Sequence, residues 1–131
     1  AIEEWCVLAL LPAYLERENS SLVYMANKMI QMSKCAQSGF YLYNYADLAK
    51  TIADVEAKGQ KTLLLGVTFA LLDFSVQFPM QLSHTIVMET GGMKGRGREL
   101  TRLVLHETLS NRLGVKNIHA EYGMTVLLSQ A

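Results

Sequence analysis

The chain has 131 residues, a length that suits one domain with a single hydrophobic core, and half of its residues are apolar. Twelve Lys and Arg balance twelve Asp and Glu, so the formal net charge is zero, which argues against a nucleic-acid-binding protein because such proteins usually carry a basic excess. The apolar content also argues against a disordered chain. We therefore expect one folded domain over residues 1–131.

Cysteine usage and apolar run length exclude further classes. Cys6 and Cys35 are isolated and form no CxxC motif, so we expect neither a disulfide scaffold nor a zinc site, and reduced thiols indicate a cytoplasmic setting. The longest apolar runs are far shorter than the roughly 20 residues that a membrane span needs. The first residues, AIEEW, lack the basic residues of a signal peptide, so neither export nor a membrane span is expected.

Apolar runs and helical patterns alternate along the chain. In chain order they predict a strand at residues 5–11, a helix at about 19–33, a strand at 40–44, a helix at about 45–58, a strand at 62–69, a short helix or turn at 70–78, a strand at 84–90, a helix at 98–113, a strand at 117–123 and a further helix from 124. Asn44 is the expected N-cap of the second helix, and Gly59 its stop. Asp73 is expected to act as a cap or a ligand contact, with a cap favoured.

Two of these elements carry a more detailed expectation. Leu48, Ile52 and Val55 form one apolar stripe on the second helix. The helix at 98–113 has apolar residues on two sides, so we expect burial on more than one side; the two sets are Leu100, Leu103 and Val104, and Leu105, Leu109 and Leu113.

Strands and helices that alternate at intervals of about 25 residues are typical of parallel βαβ units. The strands are nearly continuous apolar runs, as expected where both faces of a sheet are covered. The sequence therefore predicts an α/β fold, a three-layer doubly wound and mainly parallel sheet with helices on both faces.

Two loops carry the candidate chemistry, because ligands of doubly wound sheets bind outside the carboxyl ends of the strands. In the first, ETGGMKGRG at residues 89–97, Gly91 and Gly92 let the backbone approach a ligand. Basic side chains between residues 94 and 98 and the start of the next helix favour an anion. The loop matches neither GxxxxGK[ST] nor GxGxxG, so a plain βα turn and a phosphate cradle are equally open.

The second loop is EYGMT, residues 121–125. The Tyr122 ring can stack on a planar base and the Thr125 hydroxyl can bond a phosphate oxygen, but on these residues alone a strand-to-helix turn with Thr125 as N-cap is favoured. The histidines lie far apart without metal-ligand spacing, so they predict no metal site; they are His84, His106 and His119.

Four stretches together resemble one family: ALLPAYLERENSSL (9–22), GVTFALLD (66–73), ETGGMKGRGRE (89–99) and EYGMT (121–125). They are similar to the bacterial acyl-protein synthetases, the long-chain fatty-acid luciferin-component ligases of the adenylate-forming superfamily, along nearly the whole chain. The resemblance implies that a fatty or other carboxylic acid reacts with ATP to give an acyl-adenylate and pyrophosphate. The acyl group then passes to a thiol of a protein or small molecule.

The resemblance also implies site residues. Those matching the family's nucleotide site are Glu89, Thr90, Gly91, Gly92, Met93, Lys94, Glu121, Tyr122, Gly123, Met124 and Thr125. Residues 89–92 would lie against adenine, Tyr122 would stack on it, and Thr125 would contact phosphate in the catalytic role. Residues 66–69 would line an acyl pocket or form a core strand.

The chain departs from the superfamily pattern at two points. Val126 stands where the superfamily places a glutamate that helps to hold Mg²⁺, and valine offers no oxygen to a hard cation, so another group supplies it or Mg²⁺ binding is impaired. The superfamily's Ser/Thr/Gly-rich phosphate loop and mobile C-terminal part do not occur in these 131 residues.

We therefore expect the nucleotide-binding core fragment of an ATP-dependent acyl ligase, the central part of a larger domain. Alone it would be catalytically incomplete, because it lacks segments of its own enzyme, and cut sheet edges would favour self-association. Two alternatives stay open: a non-enzymatic nucleotide- or phosphate-binding module, and a structural or oligomerising α/β domain.

Overall fold

A computed structural model describes residues 1–12, 21–92 and 101–120. Within these residues, the strands are β1 (Cys6–Leu10), β2 (Gly39–Tyr41), β3 (Thr62–Gly66), β4 (Thr85–Glu89) and β5 (Ile118–Ala120). The helices are α1 (Ser21–Met32), α2 (Tyr45–Ala57), α3 (Thr68–Gln77) and α4 (Arg102–Leu113), and a short 3-10 helix (Ile2–Glu4) precedes β1. None of the helices in these ranges has both the length and the apolar character needed to cross a membrane.

The strands form one sheet in the order β2-β1-β3-β4-β5, and every neighbouring pair is parallel. The connection through α1 leads from β1 to β2 at one edge of the sheet. The connections through α2, α3 and α4 lead in the opposite direction, from β2 to β3, β4 and β5. Right-handed crossovers then put α1 on one face of the sheet and α2, α3 and α4 on the other. The predicted α/β fold, a doubly wound parallel sheet with helices on both faces, is confirmed.

Each face of the sheet has its own hydrophobic core. On the face of α2, α3 and α4, the core includes Leu8, Leu64 and Val87 from the strands and Ile52, Phe74 and Leu109 from the helices. On the other face, the core includes Val7, Leu65 and Met88 from the strands and Leu22, Ala26 and Met29 from α1. Every residue of β1 and β3 is buried, which explains why these strands show no alternation of apolar and polar residues.

The end of β3 differs from the prediction. The strand stops at Gly66 rather than at Phe69, and α3 begins at Thr68. A Cβ atom at Gly66 would lie 2.7 Å from the Leu71 side chain, so the glycine permits the close approach of α3 that ends the strand. Phe69 packs in the core, but it does so from α3, so the predicted core strand over residues 66–69 is wrong. Asp73 lies within α3 rather than at its start, so the predicted cap is wrong.

The expected burial of α4 on more than one side is wrong. Thr101 is the N-cap, its Oγ1 accepts a hydrogen bond from the Val104 N–H at 3.2 Å, and the described helix therefore starts after residue 101. Leu103 and Val104 are exposed, with 69% and 46% of their surface accessible. Only one stripe packs on the sheet, and its buried members are Leu105, Leu109 and Leu113. Residues 98–100 of the predicted helix lie outside the described residues.

The β2–α2 region follows the prediction in part. The α2 stripe of Leu48, Ile52 and Val55 is buried as predicted, and Gly59 follows the helix with a φ of 68°. The aromatic strand is shorter than predicted, because Asn44 Oδ1 accepts from the Leu42 N–H at 2.8 Å and turns the chain toward the helix. Asn44 therefore takes the N-cap position without a side-chain bond to the helix.

Candidate functional site

The candidate site lies at the carboxyl edge of the sheet, where β4 ends. Glu89 is the last residue of this strand, and in the sheet it pairs with Gly66 of β3 on one side and Ala120 of β5 on the other. Thr90, Gly91 and Gly92 follow it. The four predicted site residues at 89–92 therefore lie together at the edge where doubly wound sheets bind their ligands.

Glu89 is buried, with 6% of its side chain exposed, and its carboxylate is fully engaged. Oε1 accepts a hydrogen bond from the Gly91 N–H at 2.9 Å and a longer one from Thr68 Oγ1 at 3.5 Å. Oε2 lies 2.9 Å from Nε2 of His106 on α4. A buried carboxylate is stable only where such partners replace water, so these contacts explain why a charged residue can end a core strand.

The two glycines after Glu89 have backbone conformations that other residues rarely adopt. Gly91 has a φ of 85° and Gly92 a φ of 99°. Among residues 1–12, 21–92 and 101–120, no atom lies within 4 Å of a Cβ atom built at Gly91, so these residues leave space in front of this backbone. Together, the φ values and the open space provide a bare stretch of main chain that a ligand can approach closely.

The glycine carbonyls occupy the start of α3. The Thr68 N–H donates to the Gly91 carbonyl at 3.1 Å, and the Phe69 N–H donates to the Gly92 carbonyl at 2.9 Å. The Thr90 N–H donates to the Gly66 carbonyl at 3.0 Å and joins the same segment to the end of β3. A helix start normally attracts anions through its unpaired amides, and here the loop itself uses the first two amides of α3.

The other predicted site residues lie outside the described residues. They are Met93, Lys94, Glu121, Tyr122, Gly123, Met124 and Thr125, together with Val126 at the expected Mg²⁺-ligand position. The chain leads into EYGMT from Ala120, which pairs with Glu89 in the sheet. Adenine stacking by Tyr122 and phosphate contact by Thr125 stay predictions.

Sequence reasoning missed two members of this cluster, His106 and Thr68. The spacing of the histidines from one another and from carboxylates predicts no site at His106, and the apolar run at residues 62–69 predicts a strand at Thr68. One signal was present in the sequence: His106 follows Leu105 of the buried stripe, on the helix after β4. A buried glutamate at the end of an apolar strand also needs a hydrogen-bond donor, and a helix packed beside that strand can supply one.

Outside the site, three described groups have shifted pKa values, the exposed Glu4 and the two at least partly buried groups Glu56 and Cys6. Burial raises the pKa of Glu56, but hydrogen bonds from the Ser83 N–H, Thr85 Oγ1 and the His84 N–H outweigh it, so the pKa lies below its ordinary value. Because these donors lie at the start of β4, Glu56 is structural. Burial raises the pKa of the Cys6 thiol to about 12, and its neighbour Cys35 adds to the increase.

The described residues contain no group of three or more His, Cys, Asp or Glu that could hold a metal ion. Comparison with protein-family models gave no match, and neither did comparison with curated proteins or with solved structures. The motifs and the geometry around Glu89 are therefore the observations that bear on function.

Proposed function

We propose that this chain is the nucleotide-binding core of an ATP-dependent acyl ligase, in which a carboxylate displaces pyrophosphate from ATP to form an acyl-adenylate and a thiol then takes the acyl group and releases AMP. The observation that carries the proposal is the bare glycine backbone at the end of β4. No atom of the described part of the chain fills the space before Gly91, and the buried Glu89 carboxylate holds this backbone by accepting from the Gly91 N–H. A planar base can lie against such a surface without meeting a side chain.

The geometry favours adenine rather than phosphate at this loop. The carbonyls of Gly91 and Gly92 accept the first amides of α3, so those amides are not offered to an anion. The carboxylate of Glu89 would also repel a phosphate placed next to it. In the proposal, residues 89–92 hold the base, and Thr125 of EYGMT contacts the phosphates.

With the base and the phosphates held at these two loops, the role of the protein in the reaction is to position ATP and the carboxylic acid. ATP already carries a reactive anhydride, so holding the acid and the α-phosphorus in line supplies much of the catalysis. Val126 offers no oxygen to Mg²⁺, so a metal ion at this position is not part of the proposal. Because the superfamily's phosphate loop is missing from the sequence, turnover would need further segments of the enzyme.

The test is calorimetric titration of a non-hydrolysable acyl-adenylate analogue, an acyl-sulfamoyl adenosine, into the folded chain. Gly91→Ala puts a methyl group in the open space and strains a backbone with a φ of 85°. We expect it to weaken binding about tenfold or more, equivalent to about 1.4 kcal/mol. Gly39→Ala is the matched control, because its Cβ also meets nothing within 4 Å and its φ is not positive.

Saturable binding that Gly91→Ala weakens and Gly39→Ala leaves unchanged would support the proposal. Failure of the folded wild-type chain to bind the analogue would overturn it for this chain, and equal binding by Gly91→Ala would remove the loop from the site. Val126→Glu adds a test of the metal, since Mg²⁺ should improve binding only in this variant. Mg²⁺-independent binding of plain ATP, with no preference for the acyl-adenylate analogue, would favour a non-enzymatic nucleotide-binding module, the alternative that Val126 suggests.

A further inference from the structure

The His106–Glu89 contact joins α4 to the glycine loop across 17 residues of sequence. The Glu89 carboxylate divides its contacts: Oε2 faces His106, whereas Oε1 accepts from the Gly91 N–H. The charged form of the carboxylate can only accept hydrogen bonds, so in that form the hydrogen of this contact belongs to Nε2 of the imidazole. Glu89 thus links a helix side chain directly to the backbone of the loop.

The position of the imidazole is set by the packing of α4. The neighbouring Leu105 is 7% exposed and the next members of its stripe, Leu109 and Leu113, are fully buried, so the helix cannot rotate without losing its core contacts. The His106 side chain is 22% exposed and lies at the border of this stripe. The helix therefore holds the ring in a defined place, and the ring in turn can orient the carboxylate.

Without the imidazole, Glu89 would have an unpaired oxygen in a site where it is 6% exposed. The carboxylate would then turn toward water, and the same movement would withdraw Oε1 from the Gly91 N–H. Gly91 would lose the hydrogen bond of its amide, and the backbone contacts that remain for the two glycines among the described residues are those of the Gly91 and Gly92 carbonyls with the start of α3.

We infer that His106 is a positioning residue of the nucleotide site: it holds Glu89 so that Glu89 holds the Gly91 amide, and it thereby makes the ligand-binding shape of the loop depend on α4. The inference rests on the proposed function for the identity of the ligand. The positioning step itself concerns the unliganded protein and can be measured there.

The first experiment is amide hydrogen exchange, followed by NMR, on the unliganded protein. His106→Leu removes the donor, and His106→Gln restores an N–H group. We expect about tenfold faster exchange at the Gly91 amide in the leucine variant, with core amides such as Val87 unchanged, and recovery of most of the protection in the glutamine variant. His119→Leu is the control, because His119 pairs with Met88, which packs on the opposite face of the sheet.

Unchanged exchange at Gly91 in His106→Leu would overturn the inference. An equal acceleration at Gly91 and at Val87 would also overturn it, because that result means general destabilisation. A purely structural histidine would not give selective rescue at the loop by glutamine.

The second experiment repeats the titration with the acyl-adenylate analogue. We expect His106→Leu to weaken binding about tenfold and His106→Gln to recover most of the affinity, while His119→Leu binds like the wild type. If the wild type binds and His106→Leu binds equally well, the inference fails and the proposed function stands. If the folded wild type does not bind, the proposed function fails, and the exchange data alone decide whether His106 positions the loop.

Discussion

Replacing Glu56 with glutamine tests a carboxylate outside the site that accepts three hydrogen bonds. Glu56 Oε1 accepts from the Ser83 N–H at 2.8 Å, and Oε2 accepts from the His84 N–H at 2.8 Å and from Thr85 Oγ1 at 2.7 Å. These bonds tie the last turn of α2 to Thr85, the first residue of β4, and to the two residues before it. Glutamine keeps the size of the side chain but has one acceptor oxygen and directs an NH₂ group at the donors.

The expected loss follows from the number and exposure of these bonds. A hydrogen bond to a charged group contributes about 1.5–3 kcal/mol when it is buried. Glu56 is partly exposed, so water can replace part of each bond, and we expect Glu56→Gln to lower the free energy of unfolding at neutral pH by about 1–2 kcal/mol in total.

The pH dependence has a definite sign. The folded-state pKa of Glu56 lies below its ordinary value of 4.5, so the carboxylate contributes its full stability above about pH 4.5. That contribution is lost as the pH falls through the lowered pKa, because a protonated carboxyl group accepts these bonds poorly. The difference between wild type and Glu56→Gln should therefore be constant from about pH 7 to 5 and shrink in more acidic buffer.

Urea unfolding followed by circular dichroism, at a series of pH values from about 7 to about 3, measures this difference. The control is Glu107→Gln, a change at an exposed glutamate of α4, which should alter stability by less than about 0.5 kcal/mol. A Glu56→Gln protein as stable as the wild type at neutral pH would refute the reasoning. A difference of the same size at every pH would show that the charge of Glu56 contributes nothing.

Two further predictions concern the core. Cys35 should react with a thiol reagent at about pH 8 in the native protein, whereas Cys6 should react only on unfolding. Cys6 is fully buried, and its pKa of about 12 disfavours the reactive thiolate. Equal reaction rates of the two thiols in the native protein would contradict this prediction. Leu109→Ala should lower the free energy of unfolding in urea by about 2–5 kcal/mol, because it leaves a cavity between α4 and the sheet. Leu103→Ala on the exposed side of α4 should lower it by less than about 0.5 kcal/mol. Similar losses for the two variants would mean that α4 packs on more than one side.

The sequence was most informative where structure follows from local periodicity. The stripe of Leu48, Ile52 and Val55 predicted α2, and the unbroken apolar runs of β1 and β3 predicted a sheet covered on both faces. It was least informative at element ends. The boundary at Gly66 depends on how closely Leu71 approaches, and that distance is set by packing rather than by propensity.

The same limit applies to the candidate site. Composition and motif determined that the glycines after Glu89 would lie at a strand end, because in parallel βαβ units the loops after the strands share one edge. Only the tertiary structure decided which groups meet there. Thr68 and His106 are 21 and 17 residues from Glu89, and no spacing rule links them. They meet because α3 and α4 pack on the same face of the sheet, where a buried carboxylate has to find its hydrogen-bond donors.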